Sequence, residues 1–221
     1  MNGYTRRPAA PPAVMNLIIA NIVAFAAMTL LIKSPAQEWR IYDLFALHPV
    51  QSPWFEPWQA VTYMFMHGSF SHLFFNMFAL WMFGRTLEME LGTKRFLIYY
   101  FVCGIGAALF QMAVGQIDIS RLAAGSADYM MYMKIPTVGA SGAVFGLLLA
   151  FGMMHPNAVI MLLIPPIPIK AKWFVVIYGA IELFFGISGR MDSIAHFAHL
   201  GGMFWGWLLL LWWRRRRRIF Y

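Results

Sequence analysis

Gly139-Ala140-Ser141-Gly142 opens an apolar run that continues to Met154. A serine among small residues at the start of such a run serves either close packing or chemistry. The run falls short of the roughly 20 residues that a full membrane span takes, so a helix built from it starts below the surface. Three other polar groups bear on the choice: His72 and Asn76, four apart, and His199 near the carboxyl end.

Working outward, the setting is lipid. The chain is 61% hydrophobic and 12% charged, and a soluble domain of this length cannot hide so much apolar surface. Spans are expected at 14–32, 71–87, 96–114, 141–154, 173–187 and 194–213, an all-α bundle of six membrane helices. Residues 1–13, with Pro8, Pro11 and Pro12, read as a disordered cytoplasmic amino terminus, residues 14–213 as one membrane domain, and 214–221 as a basic cytoplasmic tail. The 14–32 run is too long for a cleaved signal peptide and has no clear cleavage site. Residues 33–66 mix Trp39, Trp54 and Trp58 with Glu38, Arg40 and Asp43; they are too polar to span and read as amphipathic helices at the interface. Residues 115–138 form a polar connection. Residues 155–169, broken by Pro165, Pro166 and Pro168, read as an apolar loop on the membrane.

Charge sets the orientation. Arg6, Arg7, Arg85, Lys94, Arg95, Lys170, Lys172 and Arg214 to Arg218 fall on one side with Glu88 and Glu90. The other side has Lys33, Arg40, Arg121, Lys134 and Arg190 against Glu38, Asp43, Glu56, Asp118, Asp128 and Asp192. Both termini are therefore expected in the cytoplasm. The arginine run reads as a membrane anchor, not as a nucleic-acid surface. The lone Cys103 gives neither a disulfide framework nor a metal quartet.

In this orientation the second, fourth and sixth spans start from the outer side. His72, Asn76, Ser141 and His199 then share the outer third of the bilayer, where polar groups normally face a cavity or each other. A serine hydroxyl needs a base, and histidine suits the task near neutral pH. His72 and Asn76 share one helix face and, with the Ser141 backbone N–H left free in a first helical turn, supply donors for an oxyanion. Gly142 with Gly146, and Gly202 with Gly206, form small-xxx-small patterns that ordinarily mean helix packing. Packing of these two helices would bring Ser141 to His199.

His196 and His199 also share a face, but a metal site would need a further ligand such as a carboxylate. Asp192 reads as surface and Glu182 lies on another helix, so no metal is expected. A triad lacks a buried aspartate, so a Ser141–His199 dyad is preferred, with His196 lining the cavity or orienting a neighbour. Glu182 has no assigned role. His67, His155, Ser188 and Ser193 read as solvated.

Together these motifs resemble the rhomboid family of intramembrane serine proteases over nearly the whole chain from residue 57. His67-Gly-Ser-Phe-Ser-His72-Leu-Phe-Phe-Asn76 is similar to the second-helix motif. Gly84-Arg-Thr-Leu-Glu88-Met-Glu-Leu-Gly92 resembles the helix ending in which the glutamate is structural. Gly139-Ala140-Ser141-Gly142 is similar to the nucleophile motif, and Ala198-His199-Leu-Gly-Gly202-Met-Phe-Trp-Gly206 to the base motif with its packing glycines. The resemblance implies a six-helix core with a water-filled cavity, a Ser141–His199 dyad, and an oxyanion site from His72, Asn76 and the Ser141 backbone. It implies no cofactor. Substrates would be single-span membrane proteins, cut near the outer end of the span after a small residue, with lateral access past the fifth span and residues 188–193. Many relatives carry Trp-Arg in the first outer loop, where this chain has Trp58-Gln59. A bacterial plasma membrane is the expected location, since the chain is minimal and lacks a transit peptide. Two other readings compete: an inactive relative that binds membrane clients, and a small transporter. The first usually lacks the serine or histidine; the second would place charge at the midplane, often in paired half-sequences.

Overall fold

The amino-terminal helix α1 (Pro12–Leu31) starts on a proline, whose missing N–H costs nothing at that position. Its next two donors are capped from far along the chain: Glu88 accepts Ala13 N–H at 3.0 Å and Val14 N–H at 2.8 Å. Thr93 Oγ1 donates to the same carboxylate at 2.8 Å. Glu88 is buried and so joins the first helix to the bundle. Hydrogen bonds to a buried charge are worth about 1.5–3 kcal/mol each, so Glu88→Ala is expected to cost about 3 kcal/mol or more. Denaturation in detergent checks this; an unchanged unfolding midpoint would show that the cap is dispensable.

The computed structural model describes residues 11–162, 166–188 and 193–216. The 33–66 segment folds as expected into short helices: α2 (Pro35–Phe45), α3 (Gln59–Thr62) and a 3₁₀ turn, Tyr63–Phe65. Within this segment Gln59, which follows Trp58, has its own set of partners. Gln59 is wholly buried; its Nε2 donates to Asp43 O at 2.8 Å and Trp54 O at 2.7 Å, and its Oε1 accepts His48 N–H at 3.2 Å. Trp58 Nε1 donates to Leu44 O at 2.8 Å. A neutral amide thus pins the loop from within.

Helix α4 (Phe70–Ala79) is capped by Ser69, whose side chain accepts His72 N–H at 3.1 Å. It runs through a π-helical turn, Leu80–Gly84, into α5 (Arg85–Leu91). The expected loop carrying Glu88 and Glu90 is therefore helical. The connection shrinks to Gly92, whose φ of 77° favours glycine, and α6 (Thr93–Ser120) follows at once. Part of the 115–138 connection is also helical, as the end of α6 and as α7 (Ala127–Lys134). Leu47 pairs with Thr137 in an isolated antiparallel bridge. Helix α8 (Ser141–Met154) has the expected bounds. The expected apolar loop contains a small antiparallel pair, β1 (Val159–Met161) and β2 (Pro168–Lys170), with Ile160 opposite Ile169. Helices α9 (Ala171–Ser188) and α10 (Ser193–Arg215) are the last elements among the described residues.

Helices α6, α8 and α10 form the centre, and α9 lies outside against α10 and α8. Small residues let the central three meet. A Cβ on Gly202 would collide with the Gly142 carbonyl, and one on Gly142 with the Ala107 side chain. Tyr99 OH donates to Gly146 O at 2.8 Å, tying α6 to α8. The outward faces are apolar: Val23, Leu30 and Leu31 of α1 and Val176, Phe184 and Ile187 of α9 are exposed. Helices α1, α6 and α9 are each long and apolar enough to cross a membrane, and α8 is a shorter apolar helix.

Candidate active site

Ser141 is the first residue of α8. The chain reaches it through Gly139, at a φ of 124° that favours glycine, and Gly139 N–H donates to Tyr63 O at 2.9 Å. The Tyr63 hydroxyl donates to Gly104 O at 2.7 Å, so this turn rests on the α6 backbone. The missing side chain at Gly139 makes room for His72. A Cβ there would stand 2.8 Å from His72 Cε1 and Nε2 and 3.6 Å from Ser141 Oγ. His72 and the serine hydroxyl thus flank the same bare stretch of backbone.

Packing of Gly202 on Gly142 brings α10 alongside, and His199 Nε2 lies 2.8 Å from Ser141 Oγ. The imidazole is held flat by Phe145, one helical turn beyond Ser141; their ring centroids are 4.1 Å apart and the planes within 5°. His199 keeps 16% of its side-chain surface exposed. Asn76 is buried, and its Nδ2 donates to His72 O at 3.0 Å, leaving the second amide hydrogen for another acceptor. Glu88 has its contacts elsewhere, with Ala13, Val14 and Thr93 at the start of α1 and α6.

Sequence reasoning left Glu182 unassigned and argued against a triad for lack of a buried aspartate. A buried glutamate is present instead. Glu182 Oε2 lies 2.6 Å from His196 Nδ1 and 3.0 Å from His199 Nδ1, with 8% of its side-chain surface exposed. The carboxylate thought to be out of reach therefore sits between the two histidines. Ligand atoms of Glu182, His196 and His199 lie within 4.8 Å of one another, a set that could hold a metal ion; the same atoms are already engaged in hydrogen bonds with one another. The signal for Glu182 was its isolation, since a lone carboxylate in a membrane run ordinarily has a polar partner. The signal for Phe145 was its spacing of four from Ser141.

Two of the supposedly solvated histidines are engaged. His67 is buried, its ring 5.0 Å from that of His72. Burial, reinforced by His72, pulls its pKa down to about 4, so the ring is neutral at neutral pH. His155 Nε2 lies 3.0 Å from Glu90 Oε1. Of the serines, Ser188 Oγ donates to Phe185 O at 3.3 Å; the side chain of Ser193 lies outside the described residues, as do residues 189–192 of the expected access loop.

The fold and the site together define an all-α membrane bundle with a serine–imidazole pair between two of its helices. The family model of the Rhomboid domain matches residues 55–216, and the chain belongs to the rhomboid family. It is 34% identical over 149 residues to Rhomboid protein 1, mitochondrial, of Saccharomyces cerevisiae, covering 66% of this chain and 40% of that protein. It is 31% identical over 154 residues to Rhomboid protease AarA of Providencia stuartii, covering 69% and 54%. Over 93 residues it is 33% identical to Rhomboid protease GluP of Bacillus subtilis, covering 42% and 15%. The chain thus spans about half or less of the length of these relatives.

Proposed function

We propose that the protein is an intramembrane serine endopeptidase that cuts single-span membrane proteins near the outer end of the span, after a small residue. The observation that carries this reading is the 2.8 Å approach of His199 Nε2 to Ser141 Oγ. Relatives named as proteases support it.

In the reaction, His199 Nε2 takes the hydroxyl proton as Ser141 Oγ attacks the scissile carbonyl carbon. The carbonyl oxygen becomes an alkoxide. It is met by the Ser141 backbone N–H, which has no carbonyl inside its own helix, together with His72 and the free hydrogen of Asn76. Collapse breaks the C–N bond, and the proton on Nε2 goes to the departing amine. Water then attacks the Ser141 ester with His199 again as base, releasing the acid and restoring the hydroxyl. No step requires a cofactor. Both termini lie in the cytoplasm and the site opens outward, consistent with the charge distribution; a bacterial inner membrane is the proposed location.

The test is covalent. A fluorophosphonate should label the reconstituted protein once, on Ser141, and the same preparation should cut a single-span substrate at one position. Labelling elsewhere removes Ser141 as nucleophile. Substrate that is bound but never cut, with no labelling, would favour an inactive client-binding protein.

A further inference from the structure

We infer that Glu182 is a positioning residue for the catalytic base, held ready by His196. The catalytic group is therefore a four-member chain, Ser141–His199–Glu182–His196, rather than a dyad. The inference rests on the serine-protease reading above.

One oxygen makes both contacts. Glu182 Oε2 lies 3.0 Å from His199 Nδ1 and 2.6 Å from His196 Nδ1. An ionised carboxylate can only accept hydrogen bonds, so each Nδ1 carries a hydrogen. For His199 this has a direct consequence. With the hydrogen on Nδ1, the lone pair of the neutral ring is on Nε2, the atom 2.8 Å from Ser141 Oγ. The other tautomer would point an N–H at the hydroxyl and could take no proton from it. Glu182 thus selects the reactive form of the base, while Phe145 fixes the ring plane.

The role of His196 follows from solvation. An ionised carboxylate in the apolar interior needs donors to replace water. A single donor from His199 would leave the oxygen poorly served. The second donor is independent of the reaction. Its ring is also held by an aromatic neighbour: Phe185 of α9 stacks on His196 at 5.7 Å and 23°. Thus α9 supplies both the carboxylate and the ring that steadies its second donor. When His199 gains the serine proton, the new positive charge lies beside Glu182, and no group has to move to meet it.

Two substitutions test this. Glu182→Met keeps similar bulk and removes the acceptor. Glu182→Gln keeps an acceptor oxygen for His199 and removes the charge. Positioned acid–base groups contribute about 10²–10⁴-fold, so Glu182→Met is expected to lower kcat by that range with KM unchanged. Glu182→Gln should retain more activity than Glu182→Met, an order that a packing role would not produce. ¹⁵N-histidine spectra should show His199 with its hydrogen on Nδ1 in the parent and shifted toward Nε2 in Glu182→Met. The Gln variant and the parent spectrum decide the matter should the Met variant fail to fold. Parental kcat in Glu182→Met, or a parent His199 protonated on Nε2 alone, overturns the inference. Loss of cleavage in Ser141→Ala alongside a fully active Glu182→Met removes only the role of Glu182. Cleavage by Ser141→Ala removes the underlying reading itself.

Discussion

Ser141→Ala is expected to reduce cleavage of a reconstituted single-span substrate to background, with the protein still folded and still binding substrate. Where a serine hydroxyl forms the covalent intermediate, its removal costs about a millionfold in turnover, because the base acts only with it. Ser141 occupies the first position of α8, and its Oγ contact is with His199. Alanine there removes one hydroxyl and disturbs no buried packing, so stability should change little. The measurement is single-turnover cleavage in liposomes beside a thermal melt. A variant that still cuts at a measurable fraction of the parent rate would mean that another group, or water activated by His199, attacks the peptide.

Gly202→Val should be nearly as damaging by a different route. Any Cβ at this position overlaps the Gly142 carbonyl, a backbone group of a helix that cannot swing aside. Helices α8 and α10 must separate, and Ser141 and His199 are carried on these two helices. A misplacement of about 1 Å in a reacting pair can cost 100-fold in rate, and forced overpacking costs about 1–3 kcal/mol. Both losses are expected together, as a lowered melting temperature and cleavage down by at least about 100-fold. Gly179→Ala is the control, since a Cβ there would meet only the flexible end of Met203 at 3.5 Å. Equal behaviour of the two variants would show that close helix contact does not set the geometry of the site.

These two predictions use residues that were legible from the sequence, and the reason is physical. Ser141, Gly142, His199 and Gly202 belong to short local patterns that are each ambiguous and become specific when they occur together, in order along the chain. The start of α8 was legible because small residues followed by an unbroken apolar run leave little choice. Glu182 was not. Helix α9 is apolar nearly all round, with exposed Val176, Ile181 and Phe184 facing outward. In lipid both faces of such a helix are apolar, so periodicity cannot tell which way a single carboxylate points. The loop expected at 85–95 failed on charge. By charge alone Glu88 reads as part of a loop, and only the family resemblance marks it as structural; its partners, the Ala13 and Val14 N–H groups, lie 75 and 74 residues earlier in the chain. The β1–β2 pair was hidden by prolines, which exclude helix without naming the alternative.

The position of Ser141 at the very start of α8 carries a last consequence. Aligned peptide units give a helix the equivalent of about half a positive charge at its amino end. A lysine or arginine placed here to meet a negative intermediate would itself have to be stripped of water. The α8 backbone offers comparable attraction from neutral peptide groups that never required hydration as ions. Electrostatic help therefore comes ready-made with the helix, and it points at the serine before any substrate arrives.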